Sequence, residues 1–150
     1  MIGLGIMGSA MSANLIRVGY QVVGYDVLAR RRREHRQAGG TVAKTCREVG
    51  RRAGIIVCSL PSPAALLQTT ADLAESARPG QIVIETSTLP IVAKQEARRN
   101  LGARGTILLD CPLSGTGAQA RTKDLVVYAS GERGACRRVV TKRTNLRLES

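Results

Sequence analysis

The stretch Ile2-Gly3-Leu4-Gly5-Ile6-Met7-Gly8 opens the chain and decides its fold. Its three glycines follow the G-x-G-x-x-G spacing, which is typical of the first strand-to-helix turn of a dinucleotide-binding domain. In such a turn Gly3 permits the tight bend, Gly5 lets a pyrophosphate approach the backbone, and Gly8 allows the helix to pack closely. The same spacing also occurs in ordinary turns, so the rest of the chain has to support this interpretation.

Only Met1 and Ile2 precede the first glycine. Strands usually run about five or six residues, so we expect a truncated first strand. Its neighbours in the sheet would then lack backbone partners, and unpaired buried amides are costly. Failure to fold stably is therefore one of the hypotheses for this chain.

Beyond the glycines, short apolar runs alternate with amphipathic segments, which predicts β-α-β units around a parallel sheet. The expected fold class is α/β, with a Rossmann-type, doubly wound, mostly parallel sheet. Strands are predicted at 21–25, 41–43, 54–59, 81–85, 106–109 and 125–130, with helices at 7–18, 29–38, after Thr45, 64–77 and 90–101. A loop is predicted over 110–124. Residues 1–132 are expected to form the dinucleotide-binding domain and 133–150 a basic tail.

The bulk composition suits one globular domain of 150 residues, 43% of them hydrophobic. No apolar run approaches the roughly 18 residues that span a membrane, and the start does not resemble a signal peptide. We therefore expect a cytoplasmic protein without a membrane partner. The four cysteines are too widely spaced for a zinc site, so no metal is predicted: Cys46, Cys58, Cys111 and Cys136.

The formal net charge of +12 raises an alternative from another class of protein. Much of it lies in Arg30–Arg33 with Arg36, and in a later group between Arg133 and Arg147. Such patches bind phosphate backbones, so a basic module that binds nucleic acid or acidic partners is the second hypothesis. Aromatic side chains that would stack on single-stranded bases are missing beside these charges, and a solvated helix face is the favoured interpretation.

Asp26 strengthens the dinucleotide hypothesis. It follows the predicted second strand, near the offset of roughly 20 residues expected for an acid that hydrogen-bonds ribose hydroxyls. A carboxylate repels a 2′-phosphate, which favours NAD over NADP. Arg30–Arg33 follow closely and offer the alternative of gripping that phosphate.

Two further loops follow predicted strands at the edge where open α/β sheets bind ligands. Leu60-Pro61 would line the nicotinamide side of the cofactor site through its shape and its backbone contacts. Thr86, Ser87 and Thr88 offer hydroxyls nearby, although Thr88 equally suits the cap of the next helix.

These motifs together resemble the β-hydroxyacid dehydrogenases, the family of 3-hydroxyisobutyrate dehydrogenase and, more distantly, 6-phosphogluconate dehydrogenase. Residues 2–15 match the family's opening signature, and Ser59-Leu60-Pro61 and Ser87-Thr88 resemble its cofactor loops. Asp110-Cys111-Pro112-Leu113-Ser114-Gly115-Thr116 resembles its D-A-P-V-S-G-G substrate loop. The resemblance covers about residues 2–132. It departs from the family's glycines at Thr116, Gln119 and Lys123, which puts the substrate in doubt.

The resemblance implies hydride transfer between a nicotinamide cofactor and a small β-hydroxy acid or its semialdehyde. The implied substrate-binding residues are Ser114, Gly115 and Thr116. The implied cofactor-binding residues are Gly3, Leu4, Gly5, Ile6, Met7, Gly8, Asp26, Leu60, Pro61, Ser87 and Thr88.

The family's acid–base lysine lies in a helical second domain, within a G-x-x-x-K-x-x-N motif. Lys142 and Asn145 repeat the K-x-x-N spacing without the glycine-rich lead-in, which we interpret as coincidence. We therefore expect no catalytic residue here and a catalytically incomplete, truncated form of the enzyme. Dimerisation in the family depends on the second domain, so no oligomeric state is predicted.

Overall fold

The computed structural model describes residues 1–140, in which helices and strands alternate along the chain. The helices are α1 (Ile6–Arg17), α2 (Ala29–Gln37), α3 (Cys46–Arg52), α4 (Pro63–Ala74), α5 (Ile91–Gly102), α6 (Gly117–Thr122) and α7 (Arg133–Val140). The strands are β1 (Val23–Gly24), β2 (Thr41–Val42), β3 (Ile55–Cys58), β4 (Ile82–Glu85), β5 (Ile107–Asp110), β6 (Leu113–Ser114) and β7 (Val126–Val127). The predicted α/β class is confirmed.

The N-terminal segment Met1–Gly3 joins two parallel sheets into one. Strand β1 pairs with β2, while β3, β4 and β5 form a second parallel sheet. Ile2 bridges Tyr25 on one side and Cys58 on the other, both in the parallel sense. The resulting order, β2–β1–(Met1–Gly3)–β3–β4–β5, is that of a Rossmann sheet.

The segment Met1–Gly3 hydrogen-bonds to both neighbouring strands, as a central strand would. Backbone bonds run from Met1 N to Val23 O (2.7 Å), Ile2 N to Val57 O (2.8 Å), Gly3 N to Tyr25 O (2.9 Å), Tyr25 N to Met1 O (2.9 Å) and Ser59 N to Ile2 O (3.0 Å). The expectation that the neighbouring strands would lack backbone partners is therefore wrong here. Each such bond contributes on the order of 1 kcal/mol.

Side chains alternate between the two faces of the sheet, as period-2 strands require. On one face Ile56, Val83 and Leu108 pack with α3, α4 and α5. The opposite face carries Ile82 and Leu109 and packs against α7. Both faces are buried by helices, which makes the sheet doubly wound and explains its nearly continuous apolar strands.

The region after β5 differs from its prediction. Instead of a loop over 110–124, it contains the short strand β6 and the helix α6. The predicted strand at 125–130 shrinks to β7, which pairs antiparallel with β6 rather than extending the parallel sheet. Ser130 returns only as an isolated antiparallel bridge to Asp110. Thr116 and Gln119 start α6 with a reciprocal capping box, a signal that the sequence interpretation overlooked.

Helix α7 packs against the sheet beyond the predicted boundary at residue 132. Its Ala135 is buried, and Cys136 and Val139 pack against the cluster that contains Ile82 and Leu109. The folded unit therefore continues through Val139. The basic composition hid this helix, because its three arginines obscure the helical spacing of Ala135, Cys136 and Val139.

Helix ends show where local sequence signals decide the structure. Thr45 caps α3 as predicted, accepting a hydrogen bond from the backbone N–H of Glu48, and Gly19 follows α1 with φ +92°. Pro90, predicted in the first turn, is instead the N-cap of α5. Within residues 1–140, the helices are all too short or too polar to cross a membrane.

Candidate dinucleotide site

The candidate site lies where five parallel strands end. Gly3, Asp26, Leu60, Ser87 and Cys111 follow the N-terminal segment, β1, β3, β4 and β5, at or just beyond their carboxyl ends. Cys58, Glu85 and Asp110 are paired in register, so the last three loops leave the sheet at one level. The topology thus brings the predicted cofactor and substrate loops to one edge.

Two of the three motif glycines are required by the chain's own packing. Gly3 has φ +82°, and a Cβ on it would lie 2.0 Å from the Ser59 carbonyl oxygen. A Cβ on Gly8 would lie 1.9 Å from the Gly3 carbonyl oxygen. Backbone oxygens cannot yield to such contacts, so any side chain here would displace α1 or the end of β3.

Packing within the protein does not require a glycine at position 5. Its φ of −70° is open to any residue, and a Cβ would meet only the Arg31 guanidinium, at 3.5 Å. Gly5 is also the N-cap of α1, and no side chain caps this helix. A bare backbone before an uncapped helix of 12 residues is the arrangement that receives a pyrophosphate.

Asp26 fastens the glycine loop (Gly3–Gly8) to the end of β1. Its Oδ2 accepts a hydrogen bond from the backbone N–H of Leu4 at 2.7 Å, and its Oδ1 accepts one from Leu28 N–H at 2.9 Å. The carboxylate is buried, with 5% of its surface exposed. Asp26 therefore orders the loop through protein contacts, in addition to the ribose contact that the sequence predicts.

Two arginines of α2 lie against this aspartate rather than in solvent. Arg31 forms an ion pair with Asp26 Oδ2 at 3.3 Å, and Arg32 donates to the Asp26 carbonyl at 2.5 Å. Arg30, Arg33 and Arg36 are exposed, as a solvated helix face predicts. The arginines of α2 thus divide into a half-buried pair at the site, Arg31 and Arg32, and three exposed residues.

His35 supports the same side of the sheet. It is buried between Gly24 and Gly40, where a Cβ would come within 2.5 Å and 2.1 Å of the imidazole. Its Nδ1 lies 3.1 Å from the Ser12 hydroxyl and its Nε2 lies 3.2 Å from the Val22 carbonyl oxygen. Burial lowers the pKa of His35, despite the opposing hydrogen bond to Val22.

The nicotinamide-side residues are linked to each other. Leu60 N–H donates to the Ser87 hydroxyl oxygen at 2.7 Å, and Ser87 N–H donates to Glu85 Oε1 at 2.8 Å. Ser87 is buried, whereas Pro61 and Thr88 are exposed. The structure therefore joins the two predicted loops through Ser87.

A buried ion cluster beneath these loops was missed by the sequence interpretation. Lys94 of α5 lies 3.1 Å from Glu85 Oε2 and 2.5 Å from Asp110 Oδ1. Burial by itself would lower the pKa of Lys94, but the hydrogen bond to Asp110 and the negative charge of Glu85 outweigh it and raise the pKa. The available signal was the position of Lys94 on the apolar face of α5, three residues before Ala97 and seven before Leu101.

The predicted substrate residues lie in the Asp110 loop (Asp110–Thr116). Ser114 and Gly115 are exposed at the end of β6. The Thr116 hydroxyl accepts the backbone N–H of Gln119 at 3.3 Å, and Gln119 Oε1 accepts Thr116 N–H at 2.9 Å. Lys123, the third departure from the family pattern, ends α6 with φ +64°. The three residues that depart from the family pattern thus determine where helix α6 begins and ends.

The two loops also touch through their helices. Asn14 of α1 donates to the Ala120 carbonyl of α6 at 2.7 Å. A Cβ on Gly117 would lie 2.4 Å from Ile6 Cγ2, so the first residues of α1 and α6 are in direct contact. Lys142 and Asn145 lie outside the described residues. Among residues 1–140, no group of three or more His, Cys, Asp or Glu side chains is arranged to hold a metal ion.

Comparison with known proteins identifies the family of this chain. A family model described as the NAD binding domain of 6-phosphogluconate dehydrogenase matches residues 1–141. The chain is 30% identical to mitochondrial 3-hydroxyisobutyrate dehydrogenase of Rattus norvegicus over 133 residues, covering 87% of this chain and 40% of that protein. It is 29% identical over 133 residues to L-threonate dehydrogenase of Cupriavidus necator, covering 87% of this chain and 45% of that protein.

Solved structures give the same result. The chain superposes on 3-hydroxyisobutyrate dehydrogenase of Mycobacterium tuberculosis, a structure described with L-serine, with a TM-score of 0.88 and 28% identity. The match covers 92% of this chain and 47% of that one. The chain thus spans about half the length of the relatives it matches. These oxidoreductases give no support to the nucleic-acid alternative. The chain belongs to the β-hydroxyacid dehydrogenase family, of which it represents the NAD-binding domain.

Proposed function

We propose that this chain binds a nicotinamide dinucleotide along the carboxyl edge of its sheet, with the pyrophosphate on Gly5 and the first turn of α1. The observation that carries this proposal is the contrast among the glycines. Gly3 and Gly8 are explained by contacts of 2.0 Å and 1.9 Å between a Cβ and backbone oxygens, whereas a Cβ on Gly5 would meet only the Arg31 guanidinium at 3.5 Å. Leu4, Ile6 and Met7 complete the glycine loop, which would face the bound pyrophosphate.

The proposed preference is for NAD over NADP. Asp26 places a buried carboxylate at the end of β1, where the adenosine ribose lies in Rossmann domains. The paired Arg31 is partly neutralised by it at 3.3 Å, which leaves less positive charge for a 2′-phosphate. Replacing Asp26 with Asn should weaken NADH binding and improve NADPH binding, because Arg31 and Arg32 then lack their counter-charge.

The nicotinamide is proposed to lie between the linked residues Leu60, Pro61, Ser87 and Thr88 and the Asp110 loop. Ser114 and Gly115, with Thr116, would hold the carboxylate or hydroxyl of a small β-hydroxy acid. The bound cofactor supplies hydride chemistry, and the protein's part is to orient it. No residue of this chain is assigned as the acid–base catalyst. The cytoplasm remains the proposed compartment.

Calorimetric titration of the 150-residue chain with NADH and NADPH tests the binding proposal. We expect saturable binding of NADH, weaker binding of NADPH, and a reversal of that order in the Asp26→Asn variant. An absence of heat with either nucleotide at millimolar concentration would contradict the proposal. Salt-sensitive DNA binding that is indifferent to NADH would support the basic-module alternative instead.

A further inference from the structure

The ion cluster of Lys94, Glu85 and Asp110 occupies a position that requires explanation. Lys94 has 6% of its surface exposed and Glu85 has none. Burying ionised groups is costly, and apolar residues of similar volume often stabilise a protein as well or better. The cluster is therefore weak evidence for a purely stabilising role.

Its carboxylates come from two neighbouring strands at the point where each becomes a ligand loop. Glu85 ends β4 and Asp110 ends β5, and the two are paired in register. The backbone adds a direct link, because Cys111 N–H donates to the Glu85 carbonyl at 2.7 Å. Lys94 reaches both carboxylates from α5, so one ammonium group fixes the start of two loops.

The contacts continue outward from Glu85 to the cofactor side. One carboxylate oxygen faces Lys94 at 3.1 Å and the other accepts Ser87 N–H at 2.8 Å. The Ser87 hydroxyl oxygen then accepts Leu60 N–H at 2.7 Å. Three successive contacts therefore connect the Lys94 ammonium to the loop after β3.

We propose that Lys94 is a positioning residue that holds the Leu60 and Ser87 loops in register with the Asp110 loop, and so sets the affinity for the nicotinamide half of the cofactor. This inference rests on the proposed function. It assigns Lys94 no contact with the cofactor, since its ammonium is already occupied by Glu85 and Asp110. The adenosine and pyrophosphate half is held by other elements, namely the glycine loop and Asp26.

The test compares NADH with ADP-ribose, which lacks the nicotinamide. In the 150-residue chain, Lys94→Met should weaken NADH binding roughly tenfold, the equivalent of one or two lost hydrogen bonds, and change ADP-ribose binding by less than about twofold. Lys94→Arg, which keeps the charge, should restore most of the NADH affinity. Arg98→Met is the matched control, because it removes an exposed positive charge from the same helix.

Equal weakening of both ligands by Lys94→Met, or no effect on either, would overturn the inference. Should that variant fail to fold, Lys94→Gln removes the charge but keeps a hydrogen-bond donor beside Glu85 and Asp110. It should show the same selective loss of NADH, and the absence of that selectivity would overturn the inference. If the wild-type chain binds neither ligand, the proposed function itself fails and the inference falls with it, an outcome distinct from binding both without selectivity.

Discussion

The glycine loop and the Asp110 loop leave the same edge of the sheet, yet they are held in different ways. The glycine loop is constrained by distant parts of the chain, with Ser59 O against Gly3 and Asp26 against Leu4. The Asp110 loop is more exposed beyond β6, and its end is ordered by the local capping box of Thr116 and Gln119.

This difference bears on where the sequence resembles the family's motifs and where it departs from them. A loop wedged between backbone oxygens accepts few substitutions, so residues 2–15 keep the family signature. A loop ordered locally can exchange one set of turn residues for another, as Thr116, Gln119 and Lys123 do. Cofactor recognition is therefore expected to be fixed, and substrate recognition to be adjustable.

Gly3→Ala breaks the constrained loop and has the largest expected effect. A Cβ at φ +82° and 2.0 Å from Ser59 O must displace backbone, so we expect a loss of about 3 kcal/mol or more in the free energy of unfolding. Urea denaturation measures it. Gly54→Ala is the control, since its Cβ would meet nothing within 4 Å. Equal stability of the two variants would contradict the constrained-loop account.

Gly5→Val separates ligand space from packing in that loop. Its side chain should be tolerated by the fold, because only the Arg31 side chain lies near the Cβ position, at 3.5 Å. It would occupy the proposed pyrophosphate space, and we expect NADH affinity to fall by about tenfold or more, near 1.4 kcal/mol. Calorimetry measures the NADH affinity, and urea denaturation of the same sample measures its stability. Unchanged NADH affinity would refute the assignment of Gly5.

Acid should weaken the side of the sheet that carries the glycine loop. The pKa of His35 is lowered by burial from its ordinary value of 6.5. The unfolded chain then binds the proton more readily than the native one. The stability that His35 contributes is therefore retained above about pH 6.5 and falls below it, by at most about 1.4 kcal/mol per pH unit.

Urea midpoints measured between pH 7.5 and pH 5 test this dependence. His35→Asn should reduce the slope below about pH 6.5, even where it lowers stability at every pH. The slope at higher pH should remain, because burial lowers the pKa of the Met1 amine from 8.0 to about 6. A variant that keeps the full wild-type pH dependence would show that another group is responsible.

Thr116→Gly should produce the smallest change, because it alters only the locally ordered loop. Loss of the Thr116 hydroxyl should cost only a few tenths of a kcal/mol of unfolding free energy, because glycine is itself a favoured N-cap residue. NADH affinity should stay nearly unchanged, since the capping hydrogen bonds of Thr116 and Gln119 are made with each other and not with the glycine loop. Thr116→Ser keeps the hydroxyl and is the matched control. A substantial loss of NADH affinity in Thr116→Gly alone would show that the two loops are not independent.

The sequence was sufficient where local chemistry determines the structure. The glycine spacing, the cap at Thr45 and the apolar strands predicted the Rossmann sheet and the positions of Asp26, Leu60 and Ser87. It was insufficient where structure depends on contacts distant in sequence. Five backbone bonds made by Met1–Gly3 are invisible in so short a segment. From the sequence alone, Lys94 is expected to be a surface lysine and α7 to be part of a basic tail. Only the packing of α5 on the sheet and the burial of Ala135 show otherwise.

Backbone NMR during titration with NADH and with ADP-ribose tests the central claim most directly. Both ligands should shift the amides of Leu4, Gly5, Ile6 and Met7 most strongly, and only NADH should shift those of Leu60 and Ser87. This result would place the pyrophosphate on the glycine loop and the nicotinamide on the opposite loops. Shifts confined to the exposed arginines of α2 and to α7, with an unmoved glycine loop, would contradict the account.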